Sequence, residues 1–397
     1  MKKIAILLIM MFPLHWALCA PPRRIEGCSV ASIQGDVVTL HCRNNAQVRL
    51  QAVTPTMLRV RVSADGKFAE SLPEHWGFVN NKWPAFAIKT KASKEALWIE
   101  TPSVEIRVDL QQFGLAIKDA AGHDIFKQTG LDYGESSALQ MEMAEDEHFY
   151  GLGFQRIALD IRGHKLDWWR EFRWKEATVP FFMSTRGYGF YSNNTWRHTF
   201  DFTAKANYSV SARGGEPDYY VIYGPTLKTI LDRYTDITGK PLLAPRWALG
   251  VGFQSRYLAD QKETMAVAEG FRREDLPIDW IGLEGGWEDV PYTMKWVWGS
   301  KRFPDPDGMI KSLGAMGIKM GLWESGKAPF SGYTDPELRK KWYSPRIDGA
   351  LNKGIKFFKQ DDPYPRMIES TEWLPPEPNS GLRGSGDLSA GEMTNVT

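Results

Sequence analysis

Acidic side chains follow three successive apolar stretches in the second half of the sequence, where carboxylates could act as nucleophiles, acids or ligands for hydroxyl groups. Glu284 follows PIDWIGL, Glu324 follows IKMGLW, and Asp361 and Asp362 follow GIKFFKQ. If these stretches are neighbouring parallel strands of a βα-barrel, their carboxyl ends line an active site. The alternative is that the acids belong to ordinary polar surface loops.

The elements that would position these acids alternate between strands and helices. Asp260 and Glu263 are typical of a capping box that opens a helix to about Arg273. Further helices are predicted from about Asp307 to Met316 and around residues 335–343. Spacings of about thirty to forty residues between strands indicate βα units in a parallel sheet. The predicted strands are 247–252, 277–283, 318–323 and 354–359.

The first half of the chain is predicted to be a β-sandwich. Val104, Ile106 and Val108 alternate with charged residues, the period of a strand with one buried face. Similar strands separated by turns recur over residues 25–223, as in sandwich domains. A helix with Pro225 at its first position and Gly239 at its end is predicted to follow.

The N-terminus, MKKIAILLIMMFPLHWALCA, has the pattern of a secretory signal peptide cleaved near Cys19 or Ala20. A lipid anchor on Cys19 is the alternative, although Leu18 is an unfavourable residue before a lipidated cysteine. No other segment is apolar enough to span a bilayer. A secreted chain is therefore expected, and Cys28 and Cys42 are predicted to form a disulfide across a hairpin.

Composition argues against several functions. The net charge is +1 without long runs of one sign, which does not favour nucleic-acid binding. No CxxC, HExxH, phosphate loop or G-x-S-x-G elbow is present, so no metal or other cofactor is expected. The 16 Trp, 14 Tyr and 20 Phe residues suit either a large core or flat platforms for sugar rings.

Five stretches, taken in order, resemble glycoside hydrolase family 31, the group of α-glucosidases and α-xylosidases. The resemblance covers nearly the whole chain beyond the leader, and the ordered series of stretches is more specific than any single motif. The stretches are EHFYGLGFQ (147–155), VPFFMSTRGYGFYSNN (179–194), ITGKPLLAPRWALGVGFQSRY (237–257), DLPIDWIGLEGGWED (275–289) and FKQD (358–361).

The resemblance implies roles at the end of the fourth strand. Asp361 takes the place of the nucleophile of a retaining glycosidase, which works with a second carboxylic acid about 5 Å away. Lys359 shares a strand face with Asp361, and the resemblance implies that it binds a sugar hydroxyl. Asp362 is expected to bind a hydroxyl or support the site. The alternative to these roles is that Asp361 and Asp362 only form a surface turn before Pro363.

The resemblance also implies a sugar pocket built from other strand ends. Glu284 stands where the family has an aspartate that binds sugar hydroxyls, so a galacto-configured or N-acetylated sugar is an alternative to glucose or xylose. Trp287 and Trp323 are expected to line the pocket, with core packing as the alternative for each. Trp296 and Trp298 suit core packing or sugar stacking, as do Trp168 and Trp169, which are expected near the pocket mouth.

The sequence departs from the family pattern in the residues after Asp361. Asp362, Pro363 and Tyr364 replace a glutamate-containing motif. A full barrel takes about 250 residues, whereas only about 150 follow the sandwich. The tail around Asp387 and Glu392 matches no acid motif. We therefore expect the N-terminal portion of a larger enzyme, with its general acid outside the sequence.

These observations combine into one prediction: a β-sandwich domain followed by a (β/α)8 TIM-type barrel, of which about the first four βα units are present. The predicted boundaries are 1–20 for the signal peptide, 21–240 for the sandwich and 241–397 for the partial barrel. The expected function is retaining hydrolysis of α-glycosidic bonds in oligosaccharides or glycans by a secreted or periplasmic enzyme. A non-catalytic carbohydrate-binding protein or a truncated inactive homologue is the alternative. The oligomeric state is left open.

Overall fold

The computed structural model describes residues 23–75, 77–154, 156–168, 178–241, 243–291, 293, 295–325 and 344–361. Within these residues, eighteen antiparallel strands come first. In chain order they are β1 (Arg23–Arg24), β2 (Ser29–Gln34), β3 (Val37–His41), β4 (Gln47–Thr54), β5 (Met57–Ser63), β6 (Lys89–Ala92), β7 (Ala96–Glu100), β8 (Val104–Asp109), β9 (Gly114–Asp119), β10 (Asp124–Tyr133), β11 (Ser137–Glu142), β12 (Phe149–Gly151), β13 (Lys165–Trp168), β14 (Phe181–Ser184), β15 (Tyr188–Ser192), β16 (His198–Asp201), β17 (Asn207–Ala212) and β18 (Asp218–Tyr223).

Helices and four parallel strands follow. A short helix, α1 (Leu72–His75), lies within the antiparallel region. The later elements are α2 (Leu227–Thr238), β19 (Gly252–Gln254), α3 (Gln261–Arg273), β20 (Trp280–Leu283), α4 (Pro306–Ala315), β21 (Lys319–Ser325) and β22 (Phe357–Asp361), with 3₁₀ turns at Arg43–Asn45, Arg246–Leu249, Gly285–Trp287 and Leu351–Lys353 and a helical segment at 344–349.

The antiparallel strands form two sheets that face each other. One has the order β13-β16-β17-β11-β10-β9-β8-β7-β6, with β1 paired to β10, and the other has the order β12-β14-β15-β18-β5-β4-β3-β2. Their apolar faces share one core cluster that includes Leu50 and Val60 of the second sheet and Leu97 and Leu131 of the first. This arrangement confirms the predicted sandwich, whose core lies between the two layers.

The alternation predicted for β8 is present in the structure. Val104, Ile106 and Val108 are buried, whereas Glu105 and Arg107 are exposed. Apolar side chains therefore face the core on every second residue, which fixes the register of β8 between its neighbours because a one-residue shift would bury the charges.

The first hairpin carries the two cysteines beyond the leader. β2 and β3 pair around a turn at Gly35, whose φ of +60° lies in the left-handed region that glycine adopts without strain. Cys28 and Cys42 lie just outside the two strands and form a disulfide. The covalent bond closes the open end of the hairpin.

A buried ion network joins three parts of the sandwich. The Arg59 guanidinium donates two hydrogen bonds to Asp218, at 2.9 and 2.7 Å, and a third to Glu74 at 2.8 Å. All three side chains are almost completely buried. Because each carboxylate is satisfied by the same cation, the network fixes α1, which carries Glu74, against strands β5 and β18.

A buried histidine lies at the start of β16. His198 donates from Nδ1 to the carbonyl of Trp196, which leaves Nε2 to accept from the Ser192 hydroxyl at 2.9 Å. Burial lowers the pKa of His198 to about 4, because the cationic ring would lose its hydration. The ring is therefore neutral at pH 7.

The helix that leaves the sandwich starts two residues later than predicted. Thr226 is the N-cap of α2 and its hydroxyl accepts from the amide of Thr229 at 3.2 Å, so Pro225 precedes the cap instead of occupying the first helical position. The Thr226 hydroxyl accepts from an amide of the first turn, whereas Gly224, which would cap a helix that starts at Pro225, has no side chain to do so, and this explains the shift. α2 ends at Thr238, before Gly239, as predicted.

The second half contains the predicted parallel sheet, in the order β19-β20-β21-β22. The first strand begins later than predicted, because Arg246–Leu249 form a 3₁₀ turn. Asp260 caps α3 through its carboxylate, but Glu263 does not return the contact and pairs with Arg256 instead. The helix predicted around residues 335–343 lies outside the described residues.

The faces of the parallel sheet differ. Ile281, Leu283 and Leu322 share a core cluster with Ala268 of α3 and Leu313 of α4, so alternate strand residues pack against the helices. The intervening residues form the other face, which is the inner face of a barrel. Within the described residues, no helix combines the length and apolar character needed to cross a bilayer.

Acidification is expected to destabilise the sandwich through His198. Its pKa is lower in the folded protein than in the unfolded chain, so stability is full above about pH 6.5 and falls as the pH drops towards 4. Between pH 7 and 5 the free energy of unfolding should fall by about 2 kcal/mol from this group. Urea denaturation of wild type and His198→Gln at both pH values measures the difference.

The exposed His41 supplies the control for this experiment. His41→Gln should leave the pH dependence of unfolding as it is in the wild type, whereas His198→Gln should make it shallower. Equal pH dependence in the wild type and His198→Gln would show that His198 is not the responsible group.

Candidate functional site

The register of the parallel sheet brings three predicted site positions to one level. Leu283 of β20 pairs with Leu322 of β21, so the next residue, Glu284, lies level with Trp323. Trp323 in turn pairs with Lys359 of β22. These three residues that the sequence analysis assigned to the site therefore meet at the carboxyl edge of the sheet.

Below this level the inner face is filled by side chains that lie over glycines. A Cβ atom on Gly282 would be 2.3 Å from Gln254 Oε1, and one on Gly321 would be 2.2 Å from the Phe357 ring. The ring centroids of Phe357 and Trp280 are 5.0 Å apart. Larger residues at either glycine would displace these neighbours, so the strand ends rest on a packed floor.

Glu284 and Lys359 form an ion pair at the strand ends. Lys359 Nζ lies 2.6 Å from Glu284 Oε1, and the two side chains are 39% and 20% exposed, respectively. The contact passes over β21, because β20 and β22 are both its neighbours and lie about 10 Å apart. Two long side chains are needed to close this gap, and an aspartate at position 284 would be one methylene shorter.

The tryptophans of this region are buried. Trp287 is 1% exposed and Trp323 3%, and Trp296 and Trp298 are also in the core. The Trp287 ring centroid lies 5.7 Å from that of Trp296 and 5.3 Å from that of Trp298. These positions favour the core-packing alternative, and sugar stacking on Trp287 and Trp323 stays a prediction.

Trp168, at the end of β13, is also buried. Its ring makes an edge contact with His198 at a centroid distance of 5.4 Å. Trp168 therefore packs within the sandwich and not at an exposed mouth. Trp169 lies outside the described residues.

The acid at the end of the third parallel strand, Glu324, has a structural partner that the sequence reasoning missed. Arg346 Nη2 donates to Glu324 Oε1 at 2.9 Å, and both side chains are largely buried. The guanidinium carbon lies 4.1 Å from the centroid of the Phe358 ring. Residue 324 follows Trp323 on the strand and so takes the opposite face, and this alternation was the signal that could have separated it from the inner-face acid Glu284.

The main chain of Asp361 pairs with that of Ser325 at the end of the sheet, two residues beyond the Trp323–Lys359 pair. Asp361 is thus the last residue of β22, at the same edge as Glu284 and Lys359. Asp362, together with Cys19, Asp387 and Glu392, lies outside the described residues.

Two family sequence models match the chain in order. Residues 47–201 match the "Glycosyl hydrolase 31 N-terminal galactose mutarotase-like domain". Residues 241–325 match the "Glycosyl hydrolases family 31 TIM-barrel domain". The first match covers most of the sandwich and the second covers β19 to β21, which confirms the predicted fold class of a sandwich followed by part of a TIM-type barrel.

Individual relatives agree with these matches. The chain is 36% identical to alpha-glucosidase 2 of Bacillus thermoamyloliquefaciens, over 61% of this chain and 36% of that protein. It is 26% identical to alpha-xylosidase XylQ of Lactiplantibacillus pentosus, over 56% of this chain and 35% of that protein. The chain thus spans about a third of the length of these relatives.

A solved structure extends the likeness to three dimensions. A mutant GH31 dextranase of Flavobacterium johnsoniae, complexed with isomaltotriose, superposes with a TM-score of 0.75 at 25% identity. The match covers 85% of this chain and 48% of that one. The sandwich and the parallel strands therefore share their arrangement with a dextranase whose solved structure contains an oligosaccharide.

Breaking the Glu324–Arg346 pair is expected to destabilise the parallel sheet. Arg346→Met should lower the free energy of unfolding by about 3 kcal/mol, because it leaves a buried carboxylate without its cation. Urea denaturation measures the loss. In the double variant with Glu324→Gln the loss should be smaller, and an equal loss in both variants would contradict the importance of the pair.

Proposed function

Because this chain belongs to glycoside hydrolase family 31, of which it carries the N-terminal domain and part of the barrel domain, we propose that it is part of a retaining α-glycosidase with Asp361 as the nucleophile. The proposal rests on the resemblance of FKQD to the nucleophile motif of the family and on the position of Asp361 at the end of β22. The proposed substrates are oligosaccharides or glycans.

The observation that carries the proposal is the Glu284–Lys359 pair beside Asp361. A cation and an anion that remain partly exposed at the carboxyl edge of a barrel sheet can bind sugar hydroxyls as donor and acceptor, respectively. The packed inner face beneath them closes the pocket from below. A few charged hydrogen-bonding groups over a floor that includes aromatic rings resemble the usual composition of a small-molecule site.

The proposed reaction has two steps. A carboxylate oxygen of Asp361 bonds to the anomeric carbon as the glycosidic carbon–oxygen bond breaks, and an acid donates its proton to the leaving oxygen. Water then replaces Asp361, giving up a proton to the same acid, now a base, and the anomeric configuration is retained. Lys359, whose cation shares the strand with Asp361, favours the ionised form that the attack requires. We assign the acid to no residue of this chain.

Two classes of sugar are proposed as the substrate: glucose or xylose, and a galacto-configured or N-acetylated sugar. The relatives act on α-glucosides and α-xylosides by their names, and the dextranase structure contains isomaltotriose. Glu284 is longer than the aspartate of the family pattern, and its contact with Lys359 places the carboxylate differently. A galacto-configured or N-acetylated sugar is therefore the alternative to glucose or xylose.

A second candidate function is carbohydrate binding without cleavage, or an inactive homologue. It is favoured by the sequence after Asp361, where Asp362, Pro363 and Tyr364 replace the glutamate-containing motif of the family. Both functions use the Glu284–Lys359 pair, and they differ in whether Asp361 forms a bond to the sugar.

We also propose that the protein is secreted or periplasmic. The leader sequence supports export, and the Cys28–Cys42 disulfide suits an oxidising compartment.

Asp361→Asn is expected to abolish hydrolysis in the natural full-length protein while sugar binding is retained, because an amide keeps the shape but cannot act as the nucleophile. Aglycone release from aryl α-glycosides of glucose, xylose, galactose and N-acetylgalactosamine measures hydrolysis, and calorimetry measures binding. Full activity in Asp361→Asn would exclude Asp361 as the nucleophile. Binding without release by the wild type would favour the second function.

Glu284→Asp is expected to change the preference among these sugars. The shorter side chain cannot reach Lys359 over β21, so both groups would meet the sugar in new positions. The ratio of kcat/KM values between glucosides and galactosides should shift by about tenfold, the effect of one altered hydrogen bond to a charged group. The exposed Glu105→Asp is the control, and an unchanged ratio in Glu284→Asp would place Glu284 outside the pocket.

A further inference from the structure

The main chain of Glu284 is held at both of its polar groups. Its amide donates to the hydroxyl of Ser255, just past the end of β19, at 3.1 Å. Its carbonyl accepts from the amide of Trp287 at 3.1 Å, which closes the 3₁₀ turn Gly285–Trp287. Ser255 is buried, and its own amide donates to the carbonyl of Gly282 at 2.9 Å. The end of β19 therefore fixes the point at which β20 turns away.

The turn after Glu284 is also packed tightly against the segment that follows β19. A Cβ atom on Gly286 would lie 1.9 Å from the carbonyl oxygen of Tyr257. Only glycine allows this approach of two main chains, so the turn has no room to move towards β19.

On the opposite side, the turn is tied to β21 by the Trp287 indole. β20 ends at Leu283, whereas β21 continues to Ser325, so the last residues of β21 extend beyond their neighbour. Within that stretch, Trp287 Nε1 donates to the carbonyl oxygen of Trp323 at 2.8 Å. The indole thus continues the connection between the two strands after their ladder has ended.

From these contacts we infer that Ser255 and Trp287 are positioning residues, which hold Glu284 within reach of Lys359. The Glu284–Lys359 pair spans β21, and a contact of 2.6 Å over that distance tolerates little displacement of the Glu284 main chain. Ser255 fixes that main chain from the β19 side and Trp287 from the β21 side. Trp287 therefore acts through Glu284.

Any effect of these residues on sugar selection rests on the proposed function. Their positioning of Glu284 beside Lys359 can be tested without a sugar. The Lys359 amine is partly exposed, and its ion pair with Glu284 lowers its reactivity towards acylating reagents. The extent of acetylation of Lys359 by sulfosuccinimidyl acetate, measured by peptide mass spectrometry on the full chain, therefore reports whether Glu284 is in place.

The matched control is Trp298→Phe. Trp298 is also a buried tryptophan whose indole donates to a main-chain carbonyl, at 2.9 Å, but its acceptor is Gly349 and not a strand end. Trp287→Phe and Trp298→Phe each remove one indole hydrogen bond and keep an aromatic ring. Glu284→Gln gives the reference value for the acetylation of Lys359 when its ion pair is absent. Circular dichroism checks that each variant is folded.

We expect acetylation of Lys359 to rise about threefold in Glu284→Gln, the effect of losing a partly exposed ion pair, and by a similar factor in Trp287→Phe. Ser255→Ala, which removes a single oxygen atom and preserves the core, should change it in the same direction. Trp298→Phe should match the wild type.

Wild-type reactivity of Lys359 in both Trp287→Phe and Ser255→Ala, beside a raised value in Glu284→Gln, would overturn the inference. An unchanged value in Glu284→Gln would also overturn it, because the pair to be positioned would then be absent. If Trp287→Phe does not fold, Ser255→Ala decides. Calorimetry with the methyl α-glycosides of glucose, xylose, galactose and N-acetylgalactosamine tests the proposed function separately. A wild type that binds none of these sugars refutes that function, while the acetylation result still decides the positioning role.

Discussion

The candidate site depends on the parallel register of β19 to β22, which brings side chains that are far apart in the sequence to one level. Glu284 and Lys359 are 75 residues apart and touch because Glu284 directly follows β20 and Lys359 lies in β22, the two strands that neighbour β21. A one-residue shift of either strand would turn one of these side chains to the helix-facing side of the sheet. The glycines of the inner face reinforce the register, since Gly282 and Gly321 accept side chains of adjacent strands that a larger residue would displace.

In the sandwich, buried polar groups restrict how the strands and α1 can pack, as the glycines restrict the register of the parallel sheet. Arg59 satisfies Asp218 and Glu74 together, and His198 connects Ser192 to the carbonyl of Trp196. Such groups add little net stability over apolar packing, but an incorrect arrangement would leave a charge or a donor buried without a partner. They therefore discriminate against alternative packings of the many aromatic rings in the sandwich core.

The sequence was sufficient for features that depend on local patterns. The alternation of Val104, Ile106 and Val108 predicted a half-buried strand, and the spacing of apolar runs predicted the parallel sheet. The pairing of Glu284 with Lys359 and of Glu324 with Arg346 was not predictable in this way, because side-chain partners in a barrel are set by register and not by sequence distance. The burial of Trp287 was equally hidden: a tryptophan after a strand end suits a platform for a sugar until its indole acceptor is known.

The two ion pairs at the strand ends differ in what a ligand can do to them. Glu324 and Arg346 are 7% and 17% exposed, so separating them would leave a charge buried where water cannot hydrate it. Glu284 and Lys359 retain contact with solvent, and pairs of this kind contribute only about 0.2–1 kcal/mol, an amount that one or two sugar hydroxyls can replace. A hydroxyl placed between the carboxylate and the ammonium would donate to the first and accept from the second, so both charges would keep a partner. The same sequence pattern, an acid at the end of a barrel strand, thus gives a fixed support at position 324 and an exchangeable binding group at position 284.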